Sequence, residues 1–256
     1  RDNLIELVDT LYDRGCRLIV LLGGEPLMFK EIGEIIRYIK SKKMVCEIIT
    51  NGYLAERYLD ELALCDSVCV SLDGEKEGND LNRGRGSFQK AVDAISLLLK
   101  HQIPVRVKAV LTHNNKNSLD FLGSFAKEQG VMLTVSVAAT YGDRDYHQKD
   151  KWLEEYSKKN FLDDMLNLKK KGIPIGYSMT ALDYMQKWPY EEDFIIAPVS
   201  YNASGTDSAN VSGKYILGGE NNAMSFLQIT PELAGIGRSV LITSTLHLAP
   251  NPLFAV

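Results

Sequence analysis

Four short clusters of glycine and polar residues carry the chemistry that can be read from this chain: Gly23-Gly24-Glu25-Pro26, Thr50-Asn51-Gly52, Ser71-Leu72-Asp73-Gly74, and Leu111-Thr112-His113-Asn114-Asn115. The glycines at 23 and 24 place no side chain between a ligand and the main chain, and their carbonyls can accept from an ammonium group, with Glu25 adding negative charge. Arg83 and Arg85, together with the Ser71 hydroxyl, suit a carboxylate through charge-assisted hydrogen bonds. The set thus offers partners for both ends of an amino acid. A phosphate would call for a glycine-rich loop of amides at a helix N-terminus, and neither G-x-G-x-x-G nor G-x-x-x-x-G-K-[ST] occurs.

Each cluster also has a plain structural counterpart. Gly-Gly after a strand makes a tight turn, Glu25 ahead of Pro26 caps a helix, Asn51-Gly52 and Asp73-Gly74 are common turn pairs, and loop arginines are usually solvated. Cys16, Cys46, Cys65 and Cys69 have no framework spacing and read as reduced core residues. His101, His113, His147 and His247 stand apart without an i, i+3 or i, i+4 pair, so no metal ligand set is expected from them. Lys169-Lys170-Lys171 closes a helix, where cations favour the dipole, and is not read as a nucleic-acid patch.

The elements that must position these clusters alternate between two periods. Leu4, Ile5, Val8, Leu11 and Tyr12 recur at helical spacing, and Arg17 to Leu22 is a short apolar run of the kind a doubly buried parallel strand needs. The pattern repeats. Strands are expected at Val45 to Thr50, Ser67 to Leu72, Val105 to Leu111, Val131 to Ala138 and Ile173 to Tyr177. Helices are expected around Ile32 to Ile39, Ala55 to Leu64, Phe88 to Leu99, Ser118 to Glu128 and Lys149 to Lys171. One strand and one crossover helix per repeat gives an α/β fold of parallel strands, in which ligands bind at the carboxyl ends. All four clusters terminate expected strands. The polar stretch Gly74 to Gly86 reads as a long functional loop.

Of 256 residues, 45% are hydrophobic and 24% charged, with a formal net charge of -4. There is no basic stripe for general nucleic-acid binding and no apolar run of the roughly 18 residues that span a bilayer. The cysteine usage points to the cytoplasm. From residue 197 onward the only charged residues are Asp207, Lys214, Glu220, Glu232 and Arg238, a composition shift that places a boundary near Pro189 to Pro198. Residues 1–190 are expected to form the core and 191–256 a low-charge C-terminal extension of unknown role, with a hairpin around 210–222.

In their order and spacing, Gly23-Gly24-Glu25-Pro26-Leu27, Thr50-Asn51-Gly52, Ser71-Leu72-Asp73-Gly74 and Asn79-Asp80-Leu81-Asn82-Arg83-Gly84 ahead of Gly86-Ser87-Phe88 resemble the core of the radical S-adenosylmethionine (radical SAM) enzymes, over roughly residues 1–140. The resemblance implies a partial (β/α)6 TIM-like barrel in which S-adenosylmethionine chelates a 4Fe-4S cluster and is reductively cleaved to a 5'-deoxyadenosyl radical that abstracts hydrogen from a substrate. It implies cofactor-binding roles for Gly23, Gly24, Glu25 and Pro26 at the methionine ammonium, for Ser71 and Arg83 at its carboxylate, for Asp73 at the ribose, for Val110 and Leu111 at the adenine, and for Thr50 and Asn51 in the same site. It also implies a flavodoxin or ferredoxin type electron donor and a substrate in peptide, protein or cofactor modification. The chain departs from the family in lacking C-x-x-x-C-x-x-C, because Cys65 and Cys69 have no third partner; a strand and the cluster loop are therefore expected before Arg1. Two alternatives stand beside this reading: a cluster-free accessory protein that binds S-adenosylmethionine, and a barrel enzyme acting on a phosphorylated metabolite.

Overall fold

A run of residues hydrophobic on both pleats can only be a strand covered on both faces, and β1 (Leu18–Gly23) is one: Ile19, Val20, Leu21 and Leu22 are all buried. A computed structural model describes residues 2–13, 15–138, 156, 160–182, 200–201 and 243–248. Two compact units divide the chain, the first formed from Arg1–Thr50, Leu54–Val68 and Glu191–Val256, the second from Asn51–Tyr53 and Cys69–Tyr190.

In the first unit, α1 (Asp2–Asp13) buries Leu4, Leu7, Val8 and Leu11, and α2 (Ile32–Ser41) buries Ile32, Ile35, Ile36 and Ile39. Both faces follow from apolar residues three and four apart. β2 (Val45–Thr50) pairs in parallel with β1, Leu18 facing Val45 and Leu21 facing Ile48. The other edge of β1 is taken by β7 (Thr243–Leu248), parallel from Leu18 opposite Thr243 to Gly23 opposite Leu248, and β7 in turn pairs with β6 (Ser200–Tyr201). Strand β7 thus brings part of the low-charge extension into the sheet of this unit. A short helix, α3 (Leu59–Leu62), stands where the longer helix Ala55 to Leu64 was expected.

The chain crosses from one unit to the other within β3 (Ser67–Ser71). In the second unit, β4 (Val105–Leu111) alternates buried and half-buried residues and runs parallel to β5 (Met132–Val137), Arg106 opposite Met132 and Leu111 opposite Val137. The Leu72 amide donates to the Lys108 carbonyl at 3.0 Å, tying the end of β3 to β4. Helices α5 (Ser87–Lys100) and α6 (Leu119–Gln129) supply the apolar cover, and α7 (Phe161–Lys170) adds Met165, Leu166 and Leu168.

Two expectations change here. The stretch Gly74 to Gly86 is largely a helix, α4 (Lys76–Arg83), rather than a long loop; its buried face consists of Gly78 and Asn79, so hydrophobic periodicity does not announce it. Ile173 to Tyr177 contributes a single parallel bridge, Ile175 to Leu133, in place of a strand. Of the helix expected over 149–171, Phe161–Lys170 is helical, and residues 149–155 and 157–159 lie outside the described residues. The boundary at 189–198 and the hairpin at 210–222 lie outside the described residues.

Candidate functional site

The first unit carries the Gly23-Gly24-Glu25-Pro26 turn at the carboxyl end of β1. Gly24 is exposed, and a Cβ built on it meets no described atom within 4 Å. Its φ is not in the left-handed range. Neither backbone conformation nor any described neighbour demands glycine at 24. Glu25 caps the short 3-10 turn Pro26–Met28: its Oε1 accepts from the Leu27 amide at 3.2 Å and from the Thr50 hydroxyl at 2.8 Å. The carboxylate is thus both cap and cross-link, joining the ends of β1 and β2. Pro26 and Thr50 are buried beneath it.

In the second unit, the polar groups at the ends of β3 and β4 converge on Asp73. Its side chain is 4% exposed and is held by a two-point fork from Arg83, Nε to Oδ2 at 2.8 Å and Nη2 to Oδ1 at 2.9 Å. The same Oδ1 accepts from the Val110 amide at 2.9 Å, and the Asp73 amide donates to Asn79 Oδ1 at 2.8 Å. Asn82 and Asn115 complete the shell. Such a carboxylate is fixed in place before any ligand arrives.

Arg83 and Arg85, paired in the sequence reading, go separate ways. Arg83 turns its Nε edge onto Asp73, whereas Arg85 lines a shallow cleft of about 440 Å³ with Lys76, Glu77, Asp80 and Leu81. Ser71 is the last residue of β3 and is buried. Val110 is half-buried, while Leu111 is sealed in the core. Asn51 bends the chain after β2, its Oδ1 accepting from the Tyr53 amide at 3.0 Å, and Gly52 adopts φ +84° against Ala94.

Several residues that shape this end of the unit stand in the quoted runs but were given no role of their own from sequence. Asp80 accepts from the amides of Gly86 and Phe88, each at 2.9 Å, and these bonds, Phe88 first, hold its carboxyl below the usual carboxylate range. Asn79 and Asn82 lie in the segment taken for a loop, and recognising α4 there would have put them on one side of a helix with Arg83. Thr112 and Asn115 form a capping box, a T-x-x-N pattern that is visible in the sequence once β4 is known to end at Leu111.

The four cysteines are buried and free. The neighbouring Cys65 thiol, together with burial, pushes the Cys46 thiol well above its ordinary range, which disfavours the thiolate that a metal needs. Among the described residues no group of three or more His, Cys, Asp or Glu could hold a metal ion, and no helix is long and apolar enough to cross a membrane. The described side chains thus supply no ligand set for a 4Fe-4S cluster, whose cysteines the sequence reading places before Arg1.

Parallel strands alternating with helices, with polar residues held at the strand ends, define an α/β protein of the partial-barrel class. Residues 1–122 match the model of the Radical SAM superfamily. The chain is similar to Fe-coproporphyrin III synthase of Methanosarcina barkeri, 29% identical over 177 residues that make up 66% of this chain and 44% of that protein. It is also similar to a probable GTP 3',8-cyclase of Methanococcus maripaludis, 40% identical over 52% of this chain and 47% of the cyclase. Among solved structures, SuiB of Streptococcus suis superposes with a TM-score of 0.55 at 17% identity, covering 69% of this chain and 42% of SuiB; that likeness shows the fold. The chain spans less than half the length of each of these three proteins.

Proposed function

We propose that this chain is the S-adenosylmethionine-binding core of a radical SAM enzyme, acting in modification of a peptide or of an organic cofactor precursor. The observation that carries the reading is Asp73, a buried carboxylate fixed at the end of β3 by Arg83 and by the main chain of β4. With Oδ1 taken by Arg83 and Val110, the acceptor left for a ribose hydroxyl is the side of Oδ2 that Asn82 approaches only at 3.5 Å, and it does not have to be ordered on binding. The carbonyls of Gly23 and Gly24, with Glu25 and Pro26 shaping their turn, would accept from the methionine ammonium, and Thr50 supports that turn through Glu25. Ser71 and the outer N–H groups of Arg83 would donate to the methionine carboxylate. Val110 would pack on the adenine, with Leu111 anchoring it from the core side. S-adenosylmethionine, when bound, supplies a sulfonium carbon–sulfur bond that a one-electron donor breaks. No step is assigned to a cluster on the described residues. A flavodoxin or ferredoxin type donor and a cytoplasmic setting complete the reading.

The test is calorimetric titration with S-adenosylmethionine under anaerobic conditions, followed by product analysis with iron, sulfide and a strong reductant present. Binding with release of methionine and 5'-deoxyadenosine is expected. Binding without release would instead identify a cluster-free binding protein. No binding, or preferential binding of phosphate esters, would overturn the proposal.

A further inference from the structure

The second unit contains a buried amide, Asn115, whose capping-box role accounts for only part of its contacts. Asn115 is 1% exposed, and its side chain has contacts on every side. Nδ2 donates to the Asp73 carbonyl at 2.6 Å and to the Val110 carbonyl at 2.9 Å. Oδ1 accepts from the Thr112 amide at 2.6 Å and the Thr112 hydroxyl at 3.0 Å. One side chain thus grips the main chain at the end of β3 and at two points at the end of β4. The residues it grips include Asp73 and Val110, which are also joined to each other through Asp73 Oδ1.

The surrounding packing keeps this amide from moving. Gly78 of α4 lies against it, and a Cβ built on Gly78 would come within 3.1 Å of the Asn115 Cβ. The Thr112 hydroxyl, whose single proton Asn115 Oδ1 shares, also lies 2.8 Å from Asn82 Oδ1, and Asn82 is the neighbour of Arg83. A buried, fully satisfied amide is an expensive feature to rearrange, because each bond lost leaves a desolvated group without a partner.

We propose that Asn115 is a positioning residue that sets the spacing between Asp73 and Val110, and thereby the width of the slot offered to a nucleoside between ribose and base. The inference rests on the assignment of Asp73 and Val110 to S-adenosylmethionine made above. Thr112 assists by orienting the amide. Because the grip bonds the main chain at Asp73 and Val110 and makes no bond to Ser71 or Arg83, while the Asp73–Arg83 fork runs through side chains, its loss falls on the nucleoside half and leaves recognition of the amino-acid half as it was.

Binding of three probes to the purified full chain separates the possibilities: S-adenosylmethionine, 5'-methylthioadenosine for the nucleoside half, and L-methionine for the amino-acid half. Asn115→Asp keeps the acceptor for Thr112 but turns oxygens toward the Asp73 and Val110 carbonyls. It is expected to weaken 5'-methylthioadenosine about tenfold, the worth of one to two buried hydrogen bonds, with L-methionine unchanged. Thr112→Val preserves the side-chain shape and removes only the hydroxyl bonds, so it tests the same idea in a protein expected to fold. A loss of about two- to threefold, again confined to the nucleoside, is expected of it. Equal weakening of both halves in either folded variant, or unchanged nucleoside binding in Thr112→Val, would overturn the proposal. A wild-type protein that binds none of the three probes would instead remove the cofactor assignment itself, a result read before any variant is made.

Discussion

Removing the Asp73 carboxylate is the most informative single perturbation. The side chain is 4% exposed and receives both N–H groups of the Arg83 fork at 2.8 and 2.9 Å as well as the Val110 amide at 2.9 Å. Asp73→Ala leaves that buried amide without its acceptor, at a cost of about 1–3 kcal/mol. It also strips the guanidinium of its counter-ion; breaking a buried pair costs about 3–5 kcal/mol, but Arg83 is 28% exposed and regains water, so the lower end applies. We expect a loss of about 4 kcal/mol in total, and about 1–2 kcal/mol of coupling between the two residues in the cycle Asp73→Ala, Arg83→Ala and the double variant. Urea unfolding followed by circular dichroism reads this as a midpoint lowered by roughly 1–4 M, for a typical dependence of about 1–3 kcal/mol per molar. A single variant within about 0.5 kcal/mol of wild type, or a strictly additive cycle, would refute the argument that this carboxylate is preorganised.

Gly52→Ala should destabilise by about 2–3 kcal/mol in the same assay, because φ is +84° and the new Cβ would stand 2.8 Å from that of Ala94; unchanged stability would show that the turn is loose. Asp80, held below the ordinary carboxylate value of 3.8 by the Phe88 and Gly86 amides, stabilises the native state above that value and loses the contribution as pH falls through its lowered native pKa. Melting temperatures measured from pH 6 down to pH 2 should therefore drop less steeply below about pH 4 in Asp80→Asn, and parallel curves would sink the assignment. All four thiols should resist iodoacetamide in the native protein and react once urea is added, since each is buried and the Cys46 thiol is raised; rapid native labelling of Cys46 would contradict the packing described.

Strand positions were legible because burial on two faces leaves a mark on sequence. Val45–Thr50 and Val105–Leu111 begin and end where the apolar runs predict. The strand-end clusters were legible for the same reason, since a glycine or a polar residue closing an apolar run is visible without knowing the fold. Helix α4 was not, because it buries Gly78 and Asn79 through close approach and hydrogen bonds, and hydropathy does not register either. The separation of Arg83 from Arg85 was likewise hidden. Two residues apart in sequence, they lie at the end of α4 and beyond its Gly84 cap, and the direction in which each leaves the helix is decided there.

By itself, the sequence determined the alternation of parallel strands and helices, the placement of ligand-type residues at strand ends, and the lack of a third cysteine to accompany Cys65 and Cys69. Only the tertiary structure decided which of those polar residues act together. Asp73, Arg83, Val110 and Asn115 are linked by hydrogen bonds between residues as far as 42 positions apart. Periodicity encodes which side of an element is covered, whereas a hydrogen bond depends on distance and direction between elements, and those exist only once β3 and β4 lie side by side.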